Sequence, residues 1–270
     1  MKTLIALPYL GELGWLCFSW SPTVYRKFVE GSYDKCIVYC NGGAEALFPF
    51  AEVRTFDPPP KPYQSECDSI YGSYALQCKF QRWAEGFKKN HVGDFISGFD
   101  IKHGKLLLDT GTPCPIHAPS IAKGDSRSSI ALCVRDRDLG ADRNYNIEKW
   151  LELEELLSYD FNTIIVGKVR PEWVDKPWVG QNFLNKTDIS QLIGILSAVD
   201  LAMGPSTGTL HLASRCKTDH LVWGVPRNVP RYNKTNWWGI QCKVLDTGFD
   251  TEVCSVITHL EHWWETGEFK

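Results

Sequence analysis

The sequence predicts an α/β protein of two lobes, each a mainly parallel sheet layered with helices, with a cleft between them. Short apolar runs of strand length alternate with longer stretches of helical period along the chain, which is the pattern of strand–helix–strand units. A segment rich in Pro, Ser and Gly from Thr112 to Ser129, with Pro113, Pro115 and Pro119, lies near the middle and suits a linker. The 270 residues amount to about 1.8 times a ~150-residue domain, room for one large or two small domains. With 43% hydrophobic and 23% charged residues the composition is that of a globular protein, which excludes a disordered, collagen-like or coiled-coil chain.

In the first half, Thr3 to Leu7 is an apolar run of strand length and Lys35 to Cys40 is a second. Glu52 to Phe56 and Lys105 to Asp109 complete the strand candidates. Gly14 to Val29 and Tyr74 to Lys89 carry apolar residues at helical spacing. Asp57-Pro58-Pro59-Pro60-Lys61-Pro62 opens a surface loop reaching Ser69, because proline removes backbone donors and fixes φ. After the linker the series resumes, with a strand over Ile130 to Val134, a helix over Ile147 to Ser158 and a strand over Thr163 to Gly167. A helix over Ile189 to Val199, a short strand over Leu201 to Gly204 and a helix over Thr207 to Arg215 follow. His220 to Gly224 is the last strand and Thr251 to Trp264 the closing helix.

Lys plus Arg 29 against Asp plus Glu 32 gives a net charge of -3, without the basic excess that marks a nucleic-acid backbone as main partner. The ten cysteines are scattered, no C-x-x-C occurs, and Cys36, Cys40 and Cys133 lie in apolar runs, so they are read as reduced, buried thiols. The start, Met1-Lys2-Thr3 before an apolar stretch, mimics a secretory signal, but Pro8, Glu12 and the lack of a small-residue cleavage site oppose that reading. No apolar run approaches the ~20 residues of a membrane span. A soluble cytoplasmic protein is expected, in which the acceptor patterns at Asn185 and Asn233 stay unglycosylated.

The segment Asp200-Leu-Ala-Met-Gly-Pro-Ser-Thr-Gly-Thr-Leu-His-Leu-Ala-Ser214 ends a buried strand at Gly204, turns, and opens a helix. Such a start offers unpaired backbone N–H groups and the positive end of the helix dipole, which bind phosphate without a cationic side chain. The plainer alternative is that Ser206 and Thr207 cap the helix and His211 packs within it. Arg135 ends the first strand of the second lobe and Arg143-Asn144-Tyr145 precedes its first helix. Strand C-termini in an open α/β sheet face the ligand crevice, so these arginines and the 204–208 turn are expected to converge on a diphosphate. No H-E-x-x-H, Cys/His zinc spacing, Walker lysine loop or G-x-S-x-G elbow occurs, and no metal site is expected.

Ser206-Thr-Gly-Thr-Leu-His-Leu-Ala213 resembles the Asp-Ser-Gly-x-x-His-x-Ala signature of the heptosyltransferase-like GT-B glycosyltransferases, glycosyltransferase family 9. The strand ending at Arg135, then Arg143-Asn144-Tyr145 and the helix containing Trp150, is similar to that family's basic site; the resemblance spans roughly residues 128–225. It implies two Rossmann-like lobes: an acceptor-side lobe over 1–118, a nucleotide-sugar donor lobe over 126–248, and a C-terminal helix over 249–270 packing back on the first lobe. It implies metal-independent, inverting transfer from a nucleoside-diphosphate sugar to a glycan or small-molecule hydroxyl, with the donor as substrate and no cofactor. The donor-binding residues are then Arg135, Arg143, Ser206, Thr207, Gly208, Thr209 and His211; Lys168, immediately after the strand over Thr163 to Gly167, is a further candidate for the donor's phosphate or ribose, and Gln181 and Asn182 are candidates for the nucleoside, against the commoner role of solvated polar residues.

Two positions depart from the family pattern. Ser206 stands where the family has Asp, and Leu10-Gly11-Glu12-Leu13-Gly14 stands where it has Gly-Asp near the first strand-to-helix turn. The resemblance therefore makes Glu12 the general base that takes the acceptor's proton. Arg135-Asp136-Arg137-Asp138 alternates sign instead of pairing acids as a metal-binding Asp-x-Asp does. Trp15, Trp20 and Trp83 are candidates for stacking on sugar rings, against the commoner role of filling a core. One alternative is a viral-type DNA glycosyltransferase, for which Lys88, Lys89, Lys102 and Lys105 would form the basic face. Another is a catalytically inactive sugar-nucleotide binding protein.

Overall fold

The computed structural model describes residues 1–9, 13–40, 42–55, 74–97, 113–118, 127–138 and 140–269. Two units divide the chain, Met1–His117 and Ala118–Lys270, and each is built on an all-parallel sheet.

In the first unit, strand β1 (Thr3–Ala6) is followed by helix α1 (Leu13–Trp15), a π-helical turn over Leu16–Trp20 and helix α2 (Ser21–Glu30). The single helix expected over 14–29 is thus helical throughout but changes hydrogen-bond pattern midway. Pro22 supplies the reason: it cannot donate to the preceding turn, and the N–H of Ser21 reaches back five residues to the carbonyl of Leu16. Strands β2 (Lys35–Cys40) and β3 (Glu52–Thr55), helix α3 (Tyr74–Lys89) and strand β4 (Asp94–Ile96) complete the described elements, in sheet order β3-β2-β1-β4. Only three residues long and partly exposed, β4 carries too little pattern to be legible, whereas the strand expected over 105–109 lies outside the described residues. Ile5, Leu7, Phe80 and Ala84 form the buried cluster between sheet and α3, with Tyr39, Trp83, Phe87 and Phe95 packed against it.

The second unit runs β5 (Ser129–Arg135), α4 (Ile147–Ser158), β6 (Asn162–Lys168), α5 (Pro171–Val174), β7 (Gln181–Asn182), α6 (Ile189–Ala198) and β8 (Leu201–Pro205). It continues through α7 (Gly208–Cys216), β9 (Asp219–Trp223), α8 (Val229–Thr235), β10 (Cys242–Leu245) and α9 (Val253–Thr266). Helix starts follow local chemistry: Asn146 accepts from the Glu148 N–H at 2.7 Å, and Asp188 and Gln191 form a reciprocal capping box. The sheet order is β10-β9-β8-β5-β6-β7. Strand β5 lies between two close approaches, since a Cβ on Gly167 would sit 2.0 Å from the Val134 carbonyl and one on Gly204 2.7 Å from that of Cys133.

Tyr145, Trp150 and Trp223 are fully buried and in mutual ring contact, with centroids 5.0 to 5.5 Å apart, at the heart of this unit's core. The closing helix α9, expected to pack back on the first lobe, carries Val253, Val256, Leu260 and Trp263 into the same core. No disulfide joins the described cysteines, and burial pushes the Cys36 and Cys40 thiols up to about 12. Among the described residues no helix is long and apolar enough to cross a membrane.

Candidate functional site

From β5 the chain of the second unit moves to β6 and β7 on one side, then crosses through α6 to β8 on the other side of β5. Strands β5 and β8 pair directly, so the segments leaving their carboxyl ends diverge from the point where strand order reverses, the usual ligand position of such sheets. Those segments are residues 135–144 and the turn at 206–207.

Residues 135–138 and 140–144 are held to one another. Gly140, at φ +68, takes the left-handed conformation that begins a short 3-10 turn over Ala141–Arg143. Arg135 is 7% exposed, and its Nη1 donates to the Gly140 carbonyl at 2.9 Å and to Oδ1 of Asn144. Asn144 Oδ1 also accepts from the Arg137 N–H at 3.1 Å, while Nδ2 donates to the Arg137 carbonyl at 2.9 Å and to Asp136 Oδ1 at 3.4 Å. Asp136 is buried and accepts from the backbone N–H, Nε and Nη2 of Arg170 at 3.1, 2.7 and 2.9 Å, a charge-assisted pair tying this segment to the end of β6.

The turn is held from three directions. Ser206 donates its N–H to the Trp223 carbonyl at 2.8 Å, and its own carbonyl accepts from Arg143 Nη2 at 2.7 Å. The Tyr232 hydroxyl lies 3.3 Å from Ser206 Oγ and 3.4 Å from the Thr207 carbonyl, donating to either. The N–H, the carbonyl and the hydroxyl oxygen of Ser206 thereby each have a protein partner. Helix α7 starts at Gly208 with Thr207 as its extended N-cap, and no side chain caps it. Neither Ser206 nor Thr207 takes the capping role, and Thr207 Oγ1 is buried without a hydrogen-bond partner among the described residues. The first-turn amides of Gly208, Thr209 and Leu210 have no acceptor within the helix. With Arg143 at their side, the arrangement suits an anion.

No protein-family model and no curated protein matches this sequence. Solved structures do match its fold. The ADP-heptose lipopolysaccharide heptosyltransferase II of E. coli superposes with a TM-score of 0.60 at 13% identity, covering 99% of each chain. A family 9 glycosyl transferase from Veillonella parvula gives 0.59 at 10% identity over 99% of this chain and 90% of its own. A putative UDP-N-acetylglucosamine 2-epimerase from Listeria monocytogenes gives 0.55 at 11% identity, over 99% and 89%. The chain has the heptosyltransferase-like GT-B fold.

Within that fold the remaining predicted residues fall in different surroundings. Lys168 closes β6, is exposed, and stands in register beside Arg135. His211 is 3% exposed and stacked on the Tyr232 ring at 4.3 Å and 12°. Burial, then the positive charges of Arg231, His220 and Arg143, holds its imidazole well below its ordinary range, so it is neutral at pH 7 and packs behind the turn. The Asn182 side chain donates to the Val174 carbonyl at 2.9 Å and accepts from the Leu184 N–H at 3.0 Å, whereas Gln181 is exposed. Trp20 is buried, Trp83 packs on Phe80 and Phe87, and Trp15 lies tilted on Phe18 at 4.8 Å. Glu12 lies outside the described residues, as do Lys102 and Lys105; Lys88 and Lys89 end α3, with Lys88 Nζ 5.9 Å over the Phe95 ring.

Sequence reasoning missed Asn144, Tyr232 and Phe249, whose ring lies 5.5 Å from the Arg143 guanidinium. Asn144 stood inside the quoted basic motif without a role of its own. Tyr232 lies on the seven-residue helix α8 and Phe249 in a glycine-bearing connection, both too short for a periodicity to mark them.

Proposed function

We propose that this protein is a glycosyltransferase that moves a sugar from a nucleoside-diphosphate sugar to an acceptor hydroxyl, inverting the anomeric centre without a metal ion. The observation that carries this reading is the uncapped start of α7 with Arg143 bonded to the Ser206 carbonyl beside it. As the sugar's anomeric carbon gains its bond to the acceptor oxygen, its bond to the diphosphate breaks and charge grows on the leaving oxygens. Preorganised amides of Gly208 and Thr209, the Thr207 hydroxyl and the Arg143 fork meet that charge where it develops. Lys168 adds a cation at the same sheet edge, Arg135 contributes its charge from within the adjoining loop, and His211 supports the turn. Glu12 is assigned as the base that removes the acceptor's proton. The likeness in fold to a heptosyltransferase named for ADP-heptose supports a nucleoside diphosphate as the donor's leaving group. The reading makes it a cytoplasmic enzyme whose acceptor is a glycan or small molecule.

Thermal-shift and calorimetric titration against ADP, UDP, GDP and their sugars tests it. At a hundredfold excess over Kd, a bound ligand stabilises the fold by about 2.7 kcal/mol, an easily read rise in Tm. At least one diphosphate is expected to bind and Arg143→Ala to weaken the effect without abolishing it; stabilisation by none overturns the reading. The second reading, a silent sugar-nucleotide binder, is favoured by Ser206, a serine already bonded to Tyr232 where the resembling family has an acid. Glu12→Gln separates the two, because an enzyme loses turnover while keeping donor affinity, whereas a binder turns over no acceptor even as the parent.

A further inference from the structure

We infer that Asn144 is a positioning residue, which sets Arg143 for the diphosphate by tying residues 135–137 to the turn over 140–144; the inference rests on the donor site proposed above. A primary amide offers two N–H donors and a carbonyl with two lone pairs. Asn144 uses all of them, accepting from Arg135 Nη1 and the Arg137 N–H and donating to the Arg137 carbonyl and Asp136.

The consequence falls on its neighbour. Arg143 ends a single 3-10 turn whose N–H bonds run from Arg143 to the Gly140 carbonyl and from Asn144 to that of Ala141, each at 3.0 Å. Arg135 grips Gly140 at one end of that turn and Asn144 at the other, so the peptide bearing Arg143 is caged on both sides. Asp136, bonded to Asn144, is itself held by Arg170 and thus anchors the cage to the end of β6. A free arginine side chain carries about 2 kcal/mol of rotamer entropy, and fixing its backbone and aiming its fork at Ser206 removes part of that cost before an anion arrives. Aspartate in this position would lack both donors and face the Asp136 carboxylate. Arg135 and Asp136, the most conspicuous charges of the motif, therefore serve the loop, and Arg143 is the group left to meet the ligand.

Calorimetric titration of the full-length protein with inorganic pyrophosphate, for the parent, Asn144→Ala, Arg143→Ala and the double variant, tests this. Asn144→Ala is expected to weaken pyrophosphate about tenfold in the parent background and by less than about twofold when Arg143 is already alanine, since it acts through that side chain. An equal loss in both backgrounds, or no loss in the parent, overturns the inference while leaving the donor site standing. Unchanged affinity in Arg143→Ala removes the donor site itself and the inference with it. Asn144→Ser, which keeps a short donor and acceptor, is measured alongside, with the same non-additivity expected should the alanine variant fail to fold.

Discussion

Arg143 donates from Nη2 to the carbonyl oxygen of Ser206 at 2.7 Å, bridging 63 residues of chain at the reversal point of the second sheet. The bond uses one edge of a planar fork, and the Phe249 ring lies 5.5 Å from the guanidinium. Lysine in its place keeps the charge and three N–H donors but gathers them on one nitrogen, without the planar fork that presents parallel donors to a carbonyl and a phosphate side by side. Arg143→Lys is expected to weaken nucleoside-diphosphate binding about tenfold while lowering stability by about 1 kcal/mol, read by titration and by denaturant unfolding. Affinity equal to the parent's would show that the fork geometry is irrelevant.

Tyr232 provides an independent handle on the same turn. Tyr232→Phe keeps the ring stacked on His211 and deletes only the hydroxyl that reaches Ser206 Oγ and the Thr207 carbonyl. A stability loss of about 1 to 2 kcal/mol is expected, because buried acceptors lose their donor, together with weaker pyrophosphate binding as the turn loosens. Loss of stability with affinity intact would separate the turn's rigidity from its anion affinity.

How far the sequence reaches is visible in particular elements. β2, α3 and α4 were legible to the residue, because an unbroken apolar run marks the first and apolar residues at helical spacing the other two. α5, β7, α8 and β10 are four, two, seven and four residues long, too short for a period to emerge from the background. In the candidate site, the segments that meet at the switch point were legible, since strand ends and a Gly-bearing turn are local features. The direction of the Arg135 side chain was not. It depends on Gly140 adopting positive φ and on Asn144 arriving five and nine residues later, which only the folded loop decides. Tyr232 reaches Ser206 across 26 residues, a pairing created by the parallel placement of β8 and β9 and written in no local pattern.

His211 and His220 make stability fall on acidification. Burial holds His220 down to about 4, opposed by its bond to the Thr218 carbonyl, and holds His211 well below its ordinary 6.5. Above pH 6.5 neither state of the protein carries these protons and the contribution is complete. Below it the unfolded chain takes up protons the native state refuses, so stability drops as pH falls from 6.5 toward 4, by up to about 1.4 kcal/mol per pH unit for each histidine. His211→Phe, which can retain the stack on Tyr232, is expected to flatten the decline of Tm between pH 6.5 and 5. An unchanged slope would mean that His211 is protonated in the native protein.

Tyr145 leads to the opposite expectation for a buried hydroxyl. Its ring is fully buried against Trp150 and Trp223, yet its hydroxyl has no hydrogen-bond partner among the described residues. Deleting a bonded tyrosine hydroxyl costs about 1 kcal/mol, whereas deleting one that was desolvated without compensation recovers part of that desolvation. Tyr145→Phe preserves the ring contacts and is therefore expected to leave unfolding free energy unchanged or raise it by up to about 1 kcal/mol, measured by urea denaturation at constant m-value. A loss beyond about 1 kcal/mol would reveal a partner, and an ordered water bridging Tyr145 to the indole N–H groups of Trp150 and Trp223, which are buried and equally unsatisfied, is the arrangement such a result would demand.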